Sequence, residues 1–180
     1  MAARETMADL IGRLRLMIAD PSGDGQTFGD EELQEFLDAR RTEHRYRRLE
    51  PLPTIGPGGA VTYAAYHSGG AHDWEEDGAL YGPDFGEVEP ERSDWRRGRW
   101  EFAENQPAPV YINGKTYDLA AAGADALEAW AAKLKAEYDI RAGDQTFERS
   151  AQIQQTLAMA TALRRRQRAG PATWRRSDLC

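Results

Sequence analysis

Apolar residues recur at helical spacing near the start of the chain. From Thr6 to Ala19, the positions Met7, Leu10, Ile11, Leu14, Met17 and Ile18 fall at steps of three and four, which predicts an amphipathic helix that Asp20-Pro21 ends. The pattern returns from Asp30 to Tyr46, with Leu33, Phe36 and Leu37 on one side behind an acidic start suited to a helix N-terminus. The short connection predicts that these two helices pack as a hairpin. Between Pro51 and Pro109 the period changes. Gly, Pro, Trp and Tyr accumulate there, and Ala60 to Tyr66 and Arg99 to Phe102 alternate in the manner of strands. Val110-Tyr111-Ile112, Asn113-Gly114 and Lys115-Thr116-Tyr117 together read as a β-hairpin.

Asp118 is placed to cap a long third helix, Leu119 to about Tyr138, with Leu119, Ala122, Ala126, Leu127, Trp130, Leu134 and Tyr138 along one stripe. A fourth helix, from about Phe147 to Arg168, turns Ile153, Leu157, Ala160 and Leu163 inward before Gly170-Pro171 stops it. The expected fold class is therefore mainly α: a small bundle of about four helices with a β-rich insertion between the second and third helices and an extended C-terminal tail. The implied division is a helical domain from 1–50 and 110–170, an insertion over 51–109 and a tail over 171–180.

Charge adds an asymmetry. From Thr161 to Cys180 six arginines stand against one aspartate, about +5, within a chain whose formal charge is -7, so residues 1–160 carry about -12. An acidic body with one cationic arm predicts a partner for the arm, either nucleic acid or an acidic protein surface. No apolar run approaches the ~20 residues of a membrane span. The N-terminus lacks a secretory pattern, so synthesis and folding in the cytoplasm are expected. Cys180 is the one cysteine, sits at the last position and is read as incidental.

Candidate chemistry is thin. Asp20, Ser22, Asp24, Gly25 and Glu31 fall at the spacing of a calcium-binding loop between two predicted helices. Thr27 and Phe28 occupy positions unusual for such a loop, no second loop is present to pair with it, and helix capping explains the Gln-Thr-Phe that recurs at 145–147. Capping is the expectation, and a calcium- or metal-dependent enzyme centred on Asp20 to Glu31 the alternative. Asp73, Glu75, Glu76 and Asp77, with His67 and His72 nearby, could be a metal cluster, but their Gly-rich setting favours a solvated or partner-facing loop. There is no Gly-x-Ser-x-Gly elbow and no Walker-type phosphate loop, and His44, His67 and His72 have no evident orienting partner. Neither a catalytic residue nor a cofactor is expected. Arg164, Arg165, Arg166 and Arg168 could meet DNA phosphates or a protein, which leaves a helical DNA-binding regulator as a further alternative.

Several stretches, taken in order, carry a resemblance. They are Asp24-Gly25-Gln26-Thr27-Phe28 with Glu32-Leu33; Pro53-Thr54-Ile55 through Ala60-Val61; Asp73-Trp74-Glu75-Glu76-Asp77; and Ser93-Asp94-Trp95 with Gly98-Arg99-Trp100 and Phe102. Val110-Tyr111, Tyr117-Asp118-Leu119, the Ala-rich helix through Trp130-Ala131-Ala132, Tyr138-Asp139, Phe147 with Arg149-Ser150, and Arg176-Ser177-Asp178 complete the series. Together these resemble the head-tail connector, or adaptor, proteins of long-tailed bacteriophages and prophages. The resemblance implies a non-enzymatic structural protein of the virion neck, a ring commonly of twelve copies beneath the portal that extends the DNA channel towards a stopper or tail protein. It further implies that Thr173, Trp174, Arg175, Arg176, Ser177 and Asp178 dock on the portal. Trp74, Trp95 and Trp100 of the insertion would then contact neighbouring subunits or the tail.

Overall fold

A computed structural model describes residues 2–140 and 146–167, apart from the side chains of residue 57 and of residues 137–140 and 146–149. A 3-10 turn, Glu5–Met7, leads into α1 (Ala8–Ile18); Met7 of the turn and Leu10, Ile11, Leu14 and Ile18 of the helix are buried as the spacing predicts. Ala19 ends the helix in a left-handed conformation, with the Asp20 N–H returning to the Arg15 carbonyl. Then α2 (Asp30–Asp38) begins at Gly29, whose N–H the Glu32 carboxylate accepts at 2.9 Å, and buries Leu33 and Leu37.

The helix expected to reach Tyr46 stops eight residues early. After Leu37 no apolar residue continues the inner stripe, and Arg41–Arg48 instead forms β1, paired antiparallel with β8 (Tyr111–Tyr117). A second departure lies in that partner. The expected hairpin at Asn113-Gly114 is absent, and β8 runs straight through both residues. Asn113 supplies its side-chain oxygen to the Tyr46 N–H at a bulge in β1. Gly114 lies where a Cβ would come within 3.3 Å of the Gly78 Cα and the Trp74 ring. The dipeptide thus marks a bulge and a close approach, the other settings in which a strand uses these residues.

The remaining strands are β2 (Glu50–Ile55), β3 (Val61–His67), β4 (Ala79–Tyr81), β5 (Glu87–Val88), β6 (Arg92–Asp94) and β7 (Arg99–Glu101). They form two antiparallel four-stranded sheets, ordered β1-β8-β4-β5 and β2-β3-β7-β6. The chain passes from one sheet to the other at buried Leu49, whose N–H donates to the Val110 carbonyl at 2.8 Å. This corrects the expectation of a mainly α protein: the fold is mixed α/β, with two full sheets beside four helices among the described residues. The helical pattern was the easier to read because it persists over long segments. Strands two to eight residues long, one of them mostly exposed, leave a weaker periodic trace.

The third helix is α3 (Leu119–Ile140), begun by Asp118, whose carboxylate accepts the Ala121 N–H at 3.0 Å. It packs against α1, α2 and α4 (Thr146–Arg164). In α4 Thr156, Ala160 and Leu163 are buried, while Leu157, expected inside, lies on the exposed rim. Two apolar cores result. One joins the four helices and includes Tyr117 of β8; the other lies in the β lobe around Leu49, Tyr66, Trp74, Leu80, Trp100 and Ile112. Among the described residues no helix is long and apolar enough to cross a membrane.

Candidate functional site

The acidic run at 73–77, expected to be solvated or turned to a partner, is the junction between the two lobes. Its backbone lies in a slot of amide bonds. The N–H groups of Asp73 and Trp74 donate to the carbonyls of Arg96 and Trp95, that of Glu75 donates to Lys115, and that of Tyr117 donates to Asp73. Because consecutive side chains of an extended segment point to opposite faces, Trp74 enters the β core and Glu75 faces the helices.

Glu75 is fully buried and ringed by donors. Arg4 Nε and Thr6 Oγ1 reach one oxygen at 2.8 Å each, while the Tyr117 hydroxyl (2.5 Å) and Lys115 Nζ (3.3 Å) reach the other. Burial alone would push this carboxyl up. The hydrogen bonds from Tyr117, Thr6 and Arg4 and the charge of Lys115 outweigh it and hold the group down at about 2, so it is ionised at neutral pH. The Tyr117 hydroxyl is pushed far above its ordinary range by burial and by the carboxylate it donates to. Arg4 also grips Asp38 of α2 through two nitrogens at 2.7 and 2.9 Å, and Lys115 reaches Asp77 at 2.6 Å. Asp73 is likewise engaged, by Arg13 of α1 and by His72. A carboxylate saturated with donors and far below neutral pH is a poor proton carrier and a good fastener.

The other candidate residues are placed as follows. Asp20 turns inward and is buried: Arg15 binds its carboxylate at 3.1 Å, and the N–H groups of Thr27 (2.6 Å) and Phe28 (3.1 Å) donate to it. Arg15 also spans to the Phe28 carbonyl and to Asp30, both at 2.7–2.8 Å. The calcium-like spacing is therefore used to close the loop between α1 and α2, with Ser22 and Asp24 exposed on its outside and Glu31 on the first turn of α2. Among the described residues no group of three or more His, Cys, Asp or Glu is disposed to hold a metal ion. The histidines are apart. His44 bonds Thr116 at 2.9 Å and packs tilted against the Trp74 ring at 4.8 Å, His67 lies 3.6 Å from Glu50, and His72 accompanies Asp73.

The tryptophans expected at an outer surface form an interior stack. Trp100 stands edge-to-face with both Trp74 and Trp95, at 5.7 and 5.5 Å; Trp74 and Trp100 are fully buried and Trp95 is half-buried. The large apolar areas of Trp74 and Trp100 are spent on the β core, while Trp95 keeps part of its ring at the surface. Arg164 folds back on α3, with Asp125 at 2.6 Å and Glu128 at 2.8 Å, and Arg40 shares the same Asp125. Arg165 and Arg166 are exposed. Arg168 and the expected portal-docking residues Thr173, Trp174, Arg175, Arg176, Ser177 and Asp178 lie outside the described residues.

Sequence reasoning missed Arg4, Thr6, Lys115 and Tyr117. Arg4 and Glu75 are 71 residues apart, and no spacing rule joins them. The available signal was Trp74 beside Glu75: a residue bound for a core fixes its neighbour close to that core, and a carboxylate there needs donors. Compared with protein-family models, with curated proteins and with solved structures, the chain matches none.

Proposed function

We propose that the chain is a structural, non-enzymatic head-tail connector of a long-tailed phage virion, a ring-forming adaptor that binds the portal and extends the DNA channel towards the stopper or tail. The observation that carries this reading is the use to which the chain puts its candidate chemical groups. Glu75, Asp73 and Asp20 are each saturated by internal donors that hold one element to another. A chain that spends its buried carboxylates on fixing the relative orientation of its parts suits a building block, in which the angle between surfaces determines whether an assembly closes.

Charge supports the same reading. Residues 1–160 hold about -12, and a carboxylate-rich wall repels phosphates, so packaged DNA would slide past without adhering. The basic tail supplies the attachment: Trp174 as an apolar anchor and Arg175 and Arg176 as forked partners of portal carboxylates, with Arg165 and Arg166 beside DNA or portal. The test is electron microscopy of the protein mixed with portal-bearing, DNA-filled heads. Density stacked beneath the portal is the expected outcome, lost when residues 171–180 are deleted. Heads left bare at a large excess of protein would refute the connector reading, and normal attachment of the truncated chain would refute the role given to the tail.

A further inference from the structure

Among the described residues the chain crosses between the helices and the strands at two places, and the two lie side by side. It leaves α2 and enters β1 at Arg40–Arg41, and it leaves β8 and enters α3 at Tyr117–Asp118. Arg41 and Tyr117 are partners in the register of β1 and β8, and the Asp118 N–H donates to the Arg40 carbonyl at 3.2 Å. Two adjacent crossings define an axis about which one lobe can turn on the other, since a few residues at the ends of elements suffice to absorb a change in backbone angles. Each lobe keeps a core of its own, the helices packing chiefly on one another and the strands pairing with strands. Tyr117, the last residue of β8, sits on the axis with its ring in the helical core.

Away from that axis the lobes are joined by polar contacts that start from one stretch of chain. Arg4 Nε and Thr6 Oγ1 donate to Glu75 at 2.8 Å each, the Glu76 N–H reaches the Thr6 carbonyl at 3.4 Å, and Arg13 pairs with Asp73. Arg4 is itself fastened to the helical side, by its backbone N–H on Gln34 Oε1 at 2.7 Å and by its guanidinium on Asp38. Beside these contacts the lobes part. An open cleft of about 390 Å3 lies between them, lined on the helical side by Thr6, Asp9 and Leu10 and on the strand side by Asp94, Trp95 and Arg96. Where a cleft takes the place of a packed apolar face, hydrogen bonds and ion pairs, rather than burial, oppose turning.

We propose that the molecule is a latched hinge. Arg4 and Thr6, with Arg13 behind them, are the latch, and its release lets the β lobe turn about Arg40–Arg41 and Tyr117–Asp118 while both cores stay intact. The latched form holds nearly all of the population, and weakening the latch raises the turned form in proportion to the contact free energy removed. The device belongs to the single chain and stands whether or not that chain joins a virion.

The test is distance measurement by pulsed electron spin resonance on the full chain carrying Cys180→Ser and a pair of spin labels. One label is at Ala132→Cys on α3 and the other at Glu104→Cys or Glu87→Cys on the β lobe, all three exposed positions. The intact latch is expected to give one narrow distance for each pair. Arg4→Gln with Thr6→Val should add a second distance in both pairs and raise its share at least ~10-fold, the effect of losing a charge-assisted hydrogen bond. Arg13→Gln, which across the lobes loosens only the pair to Asp73, is the milder change and should add the same second distance at a smaller share. It decides the test if the double variant fails to fold. Asp125→Asn weakens the helical lobe without touching the latch and should leave the distances single. Single distances in both latch variants, a broad distribution with the latch intact, or a second distance of equal share in Asp125→Asn would each overturn the proposal.

Discussion

Glu75→Gln tests the idea that one buried carboxylate joins the two lobes. Glutamine keeps the volume but removes the charge, so Arg4 and Lys115 lose a counter-ion, and an amide nitrogen must face donors. The depression of the carboxyl from 4.5 to about 2 corresponds, at ~1.36 kcal/mol per tenfold, to at most ~3 kcal/mol. Two features reduce it. The side chains of Arg4 and Lys115 are 35% and 30% exposed, so water screens part of the loss, and each keeps a second carboxylate, Asp38 and Asp77. A cost of ~2 kcal/mol at neutral pH is therefore expected. The group ionises more readily folded than unfolded, so its contribution is complete above about pH 5 and is lost as pH falls through 2. Urea unfolding of both proteins at neutral pH and at about pH 3 measures this: the gap in stability should shrink by more than half in acid, with the slope against urea unchanged. A gap below ~0.5 kcal/mol at neutral pH, or one of equal size in acid, would refute the reasoning.

Other substitutions probe single contacts. Asp20→Ala leaves the N–H groups of Thr27 and Phe28 and the Arg15 guanidinium without their acceptor and should cost ~2–3 kcal/mol in thermal unfolding. Added calcium should leave the Tm of the unsubstituted chain unchanged, and a rise that Asp20→Ala abolishes would restore the calcium-loop reading. Gly98→Ala forces a Cβ onto Ser68 Oγ and within 2.6 Å of the Ala71 carbonyl at φ 64°, so it should cost over ~2 kcal/mol. Gly58→Ala, also left-handed but in open space, should cost only ~1 kcal/mol, and equal losses at the two glycines would contradict the packing argument. Asp125→Asn removes the negative charge shared by Arg40 and Arg164 and replaces one of its two acceptor oxygens with an amide donor, and should cost ~1 kcal/mol at low salt, less at high salt, by chemical denaturation.

What the sequence made legible follows from range. The first and third helices, the Asp118 cap and most of their inward residues are written in neighbours three and four apart, and the structure buries Leu10, Ile11, Leu14 and Ile18 of the one and Leu119, Ala122, Ala126 and Leu127 of the other; Met17, Trp130 and Leu134 are half-buried, and the side chain of Tyr138 lies outside those described. The strand β1 was misread because Arg41–Arg48 has no buried face to alternate: most of its side chains are exposed, and pairing with a strand some seventy residues away makes it a strand. Asn113-Gly114 was misread because the same dipeptide serves a turn and a bulge, and the choice is made by Trp74 pressing on Gly114. Glu75 was visible as an acid and invisible as a buried one, since its donors arrive from two distant places, Arg4 and Thr6 at the N-terminal turn and Lys115 and Tyr117 on β8.

Tyr117 shows why a charged junction is used where an apolar one would be available. Its ring belongs to the helical core, while its hydroxyl donates to Glu75 on the segment that also delivers Trp74 to the β core. Apolar burial alone would hold the lobes together with little regard to angle, because dispersion and hydrophobic contact are nearly directionless. The carboxylate admits four donors from fixed directions, and an unsatisfied donor or charge in that setting is costly, so one relative orientation is selected over its neighbours. In the connector reading, each copy would meet its neighbours through surfaces carried by both lobes. The angle at which successive copies would meet is thus set through Glu75. Glu75→Gln should therefore broaden the distribution of assembled sizes at concentrations and temperatures where the monomer remains folded. An unchanged distribution, from a protein that does assemble, would show that the junction stabilises the chain without governing its geometry.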